Sequence, residues 1–139
     1  MEKIFYFIQF LGSRIFYPIA WTIIIIGLLC IPGKSLPGLG LLGIKHFDKF
    51  VHIILFGGFV VLWGIYAWKN KGSIRGWHWT LALICVISLL IGIVMEFIQA
   101  AFIPQRSFDV WDIWSDLVGS LLFAYLLWRW GSRWKILAS

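Results

Sequence analysis

Five of the chain's six acidic residues stand in two short stretches. Asp48 opens the run Asp48-Lys49-Phe50-Val51-His52, and Glu96, Asp109, Asp112 and Asp116 fall between Met95 and Gly119. Both stretches border long apolar runs. Charge beside lipid is costly, so such residues face a protein interior or a wet cavity. Asp109, Asp112 and Asp116 are spaced i, i+3, i+7 and share one helical stripe, which Gly119 continues. Glu96 and Gln99 share another, with Gly92 one turn away. Asp48 and His52 are spaced i, i+4, close enough for the carboxylate to fix the imidazole tautomer. Glu96, Asp112 and His52 are therefore the candidate acid–base groups. Asp48, Lys49, Gln99, Arg106 and Asp116 are the candidate ligand-binding groups.

Several carboxylates in a low dielectric repel one another. They must be protonated, paired with Arg106, Lys49 or His52, or held by a cation. A hard divalent cation with oxygen ligands would suit them better than zinc. No metal-ligand motif, cofactor motif or nucleophile motif is present, so the expected cofactor is none, with a divalent cation as the exception. Each residue also has a plainer role. Buried polar side chains can simply fix helix packing, at roughly 0.6 kcal/mol per contact in a membrane bundle. Asp109 is best placed to cap a helix. Asp48 and His52 can be a helix-start pair, His46 and His78 interface residues, and Lys49 a snorkelling cation.

The elements that position these residues are four apolar segments. The chain has 139 residues, 61% hydrophobic and 13% charged, with a mean hydropathy of +0.91. Soluble domains carry about 25% charge. The expected fold is an all-α integral membrane bundle, one domain over residues 1–139, with transmembrane helices at about 15–31, 48–68, 79–102 and 112–130. Residues 1–14 read as an interfacial amphipathic segment. The segment 15–31 reads as an uncleaved helix, since no small-x-small cleavage site follows it. The Gly- and Pro-rich segment 33–47 reads as a greasy loop dipping into the membrane edge.

The net charge of +6 is spread over loops and tails and forms no dense run, which argues against nucleic acid. It sets orientation instead. Eight Lys and Arg residues fall on the side of both termini and four on the other, so both termini are expected in the cytoplasm and both polar stretches outside. Trp77, Trp79, Trp111, Trp114, Trp128, Trp130 and Trp134 read mostly as interface anchors. Cys30 and Cys85 lie towards opposite ends of their helices and are expected unbridged.

A short connection through Pro104 makes the last two helices antiparallel neighbours. Counting residues from that turn places Glu96 and Asp116 at one level, beneath Arg106 and beside His52. The expected product is a pocket about two helical turns deep, open to the outside.

These residues resemble the VanZ-like family of small bacterial membrane proteins. The resemblance covers roughly residues 45–125. It rests on Asp48-Lys49 with His52, on Glu96 and Gln99, and on Arg106-Ser107-Phe108 with Asp112 and Gly119. One departure is Asp116, where family members often carry Asn; it adds a negative charge. The resemblance implies a multi-pass protein of the bacterial cytoplasmic membrane, and the family's namesake is linked to teicoplanin resistance. It carries no reaction over to this chain.

Two kinds of function follow. In the first, the pocket binds or processes an amphiphile with an anionic head: a membrane lipid, a lipid-linked envelope precursor or a lipoglycopeptide. Lys49 and Arg106 would hold the anion. In the second, the chain is a non-enzymatic membrane module, packed as a homo-oligomer or against an envelope protein, and the polar cluster is structural. Gly57, Gly58 and Gly64 would then serve helix contact. A channel or transporter is the weakest reading, because the acidic residues are confined to one side.

Overall fold

The computed structural model describes residue 10 and residues 14–32, 47–71 and 76–138. The expectations for the N-terminal interfacial segment and for the loop carrying Lys34, Lys45 and His46 lie outside the described residues. Among the described residues four extended helices follow one another: α1 (Phe16–Leu29), α2 (Phe47–Lys71), α3 (Trp77–Phe102) and α4 (Val110–Ala138). The expected all-helical bundle is what forms, and α2, α3 and α4 are each long and apolar enough to cross a membrane. The helix starting near 79 begins at Trp77, and α4 continues past Trp130 to Ala138.

α1 is the exception in length. Its 14 residues reach about 21 Å at 1.5 Å per residue, against roughly 30 Å of hydrocarbon. It is apolar on every side, and Ile23, Ile24, Ile26 and Leu28 remain exposed, as expected for a helix facing lipid. Exposed Leu83, Leu90, Val94, Val118, Leu121 and Leu122 give α3 and α4 similar outer faces.

α2 lies at the centre and shares its largest interface with α4. Gly119 on α4 makes this possible, because a Cβ there would collide with the Ile53 main chain. Gly57, Gly58 and Gly64 on α2 are filled from within the chain by Phe123, Trp21 and Leu127. Ile25, Phe56, Phe59, Val60 and Leu81 belong to the apolar core. α1 is pinned to it by polar contacts. Trp21 Nε1 donates to the Leu55 carbonyl at 2.9 Å, and Trp63 Nε1 donates to Thr22 Oγ1 at 3.2 Å. Without an acceptor, a buried N–H would lose its hydration for nothing.

Trp77 departs from its expected role as an anchor. It is buried and meets Trp68 edge-on, with ring centroids 4.8 Å apart. Trp79, Trp111, Trp114, Trp128 and Trp130 are exposed, as interface anchors are. Both cysteines are free.

Candidate functional site

The polar residues of α2, α3 and α4 converge at one end of the bundle. His52, Glu96, Gln99, Asp112 and Asp116 are all buried. Lys49 is the hub. Its Nζ donates to Asp109 Oδ2 and Asp112 Oδ1, each at 2.8 Å, and to Asp48 Oδ2 at 3.2 Å. An ammonium has three N–H donors, and here each one meets a carboxylate. Lys49 therefore has no donor left for an outside anion, which removes it from the expected anion clamp.

His52 is held more deeply. Its Nδ1 is hydrogen-bonded to Asp116 Oδ1 at 2.8 Å, and its Nε2 lies 3.8 Å from Asp112 Oδ2. The i, i+4 spacing pointed to Asp48 as the histidine's partner. Asp48 instead bonds Lys49, and the imidazole turns inward to the α4 stripe. A helix's own neighbours can be read from spacing, but a competing helix packed through Gly119 brings stronger partners.

Asp109 caps α4, as expected: its Oδ1 accepts the Trp111 N–H at 2.8 Å. The Lys49 ammonium bonded to its other oxygen holds the Asp109 carboxyl below the usual carboxylate range. The Asp109 N–H donates to Glu96 Oε1. This bond corrects the expected depths. Glu96 lies level with the entry of α4, whereas Asp116 packs against Gly92, four residues deeper on α3. The connection explains the difference. Gln105 takes a left-handed φ of 63° after Pro104, and the Arg106 N–H closes the turn onto the Ile103 carbonyl at 3.2 Å. The chain then descends to Asp109 before α4 starts, so the two helices do not begin from a common height.

Below Asp116 the polar chain narrows. Ser120 Oγ donates to the Asp116 carbonyl at 2.7 Å. That uses its one proton, so Ser88 Oγ is the donor in the 2.8 Å bond between the two hydroxyls. At the same end as Glu96, Gln99 Nε2 donates to the Leu29 carbonyl at 2.8 Å and ties α1 to the site. Sequence spacing did not reveal Ser88, Ser120 or the tie from Gln99 to α1, because neither serine stands out in an apolar run.

Of the three cations offered to the carboxylates, Arg106 is the one that does not pair with them among the described residues. It has no carboxylate within ion-pair distance among the described residues, and its Nε is buried without an acceptor among them. Phe97 and Phe108 pack beside this turn with their rings tilted by 47° and centroids 5.1 Å apart. Oxygens of Asp48, Asp109 and Asp112 lie within 4.8 Å of one another, close enough to hold a cation. Lys49 already bonds all three, so a divalent cation would have to displace the ammonium.

Fold and site define a helical bundle of membrane type with a buried, charge-paired cluster at one end. No protein-family model, curated protein or solved structure matches the chain.

Proposed function

We propose that this chain is a bacterial cytoplasmic-membrane protein whose outward-facing cluster binds or processes the anionic head of an amphiphile. The ligand class is a lipid, a lipid-linked envelope precursor or a lipoglycopeptide, and altered glycopeptide susceptibility is the cellular consequence that the VanZ-like resemblance suggests. The observation that carries this reading is Arg106, whose buried Nε has no acceptor among the described residues. A guanidinium offers planar donors suited to phosphate or carboxylate. Glu96, His52 and Asp112 stand behind it as the acid–base groups, and the exposed Phe108 offers apolar surface for the tail.

A second reading is favoured by the saturation of Lys49 and the pairing of His52 with Asp116. In it the cluster is a packing network, and the chain serves as a non-enzymatic module against an envelope partner. Native mass spectrometry of protein released from membranes separates the two, using wild type, Arg106→Ala and Glu96→Gln with thermal unfolding in parallel. A ligand adduct on wild type that Arg106→Ala loses at unchanged stability supports binding. An adduct kept by Arg106→Ala, or none on wild type with a destabilised Glu96→Gln, refutes it and favours the network.

A further inference from the structure

Glu96 is the one carboxylate of the cluster that meets no cation among the described residues. Lys49 bonds Asp48, Asp109 and Asp112, and His52 Nδ1 bonds Asp116 at 2.8 Å. Glu96 is 2% exposed. Its one hydrogen bond among the described residues comes from the main chain, where the Asp109 N–H donates to Oε1. A carboxylate has about four acceptor positions, and burying one with donors missing is costly. The second oxygen of Glu96 therefore lacks a donor.

Arg106 has the complementary shortage, a buried Nε without an acceptor among the described residues. The two side chains flank one short piece of chain. Phe108 packs on Phe97 and Asp109 bonds Glu96, so residues 108–109 cross α3 at Glu96, and Arg106 stands two residues before them. Three residues of chain hold the Arg106 and Asp109 Cα atoms within ~11 Å of each other. Guanidinium and carboxylate are thus neighbours in the fold, yet they form no ion pair among the described residues. A bare anion on Arg106 would bring a like charge towards Glu96. A head that carries a donor beside its anion relieves both shortages at once.

We infer that the head bound at this site carries an N–H or O–H donor next to its anion, with Arg106 holding the anion and Glu96 accepting the donor. The inference rests on the ligand reading of the cluster given above and narrows its class. Phosphoethanolamine and phosphoglycerol heads qualify. A phosphocholine head, whose nitrogen carries no hydrogen, does not. Glu96 is then the residue that sets specificity, and Arg106 the one that sets affinity.

The test is native mass spectrometry of the full chain in detergent with phosphatidylethanolamine, phosphatidylglycerol or phosphatidylcholine, all with the same acyl chains. Wild type is expected to retain one or both of the first two about tenfold over phosphatidylcholine, the worth of one hydrogen bond to a charged group. Preference for phosphatidylethanolamine assigns the donor as an ammonium, and preference for phosphatidylglycerol as a hydroxyl. Glu96→Met removes the acceptor and is expected to bind all three lipids alike. Glu96→Gln keeps a neutral acceptor, is expected to reduce the preference to about threefold, and serves if Glu96→Met does not fold. Equal retention of the three lipids by wild type overturns the inference and leaves the ligand reading standing. A preference that survives undiminished in either variant does the same. Wild-type retention of all three by Arg106→Ala refutes the ligand reading and the inference with it.

Discussion

Lys49→Met puts the hub of the cluster to a quantitative test. The substitution keeps an unbranched side chain of similar length and removes only the ammonium. Asp48 and Asp109 are 43% and 37% exposed, so their bonds to Lys49 contribute about 0–1 kcal/mol each. Asp112 is different, at 8% exposed with Lys49 at 19%. Removing one partner of a buried pair costs about 3–5 kcal/mol, because the other charge is left uncompensated. His52 Nε2, 3.8 Å from Asp112 Oδ2, offsets part of that loss, and Lys49 is itself partly solvated. The expected cost is therefore about 3 kcal/mol, near the lower end of that range. For a domain of this size that is a fall in Tm of roughly 10 °C.

The decisive comparison is a double-mutant cycle with Asp112→Asn, read by thermal unfolding in detergent. Lys49→Met/Asp112→Asn should recover most of the loss, leaving about 1 kcal/mol, so the coupling is about 2 kcal/mol plus whatever Asp112→Asn costs alone. A Lys49→Met protein within about 0.5 kcal/mol of wild type, or strictly additive single effects, would show that the 2.8 Å contact carries no energy and refute the charge-hub account.

Two further outcomes follow. Gly119→Ala should lower Tm more than Gly27→Ala, because a Cβ at 119 meets the Ile53 main chain while one at 27 meets nothing; overpacking costs about 1–3 kcal/mol, and equal Tm values would contradict the close α2–α4 approach. Asp109 is held below its ordinary range by Lys49, so its share of stability is present above about pH 4 and is lost as pH falls through its depressed folded value; unfolding followed through the acid range should show that loss in wild type and a smaller one in Asp109→Asn.

The sequence spoke most clearly where a single helix decides the matter. Asp109, Asp112 and Asp116 do form one stripe facing α2, Gly119 does mark a close helix approach, and Asp109 does cap α4. What failed required knowing how two helices are offset. Glu96 and Asp116 are not level, because the chain folds back through Gln105 before α4 begins. His52 chose Asp116 over Asp48 because the interhelical partner is buried with it. Arg106, Lys49 and His52 all stood as cations for the carboxylates, and it is Lys49 that reaches three of them. A list of charges gives no rank among competing cations; only their positions in space do.

The shortness of α1 has a consequence for the lipid around it. With α3 at 26 residues and α1 at 14, the two hydrophobic columns differ by about 18 Å at 1.5 Å per residue. A bilayer beside a spanning helix shorter than its hydrocarbon adapts by thinning, at fractions of a kcal/mol per Å of mismatch. The far end of α1 is the Leu29 carbonyl, held by Gln99 one helical turn from Glu96. A shift of α1 along its own axis therefore acts first on the hydrogen bond from Gln99, the tie that fixes the end of α1 to the helix that also carries Glu96.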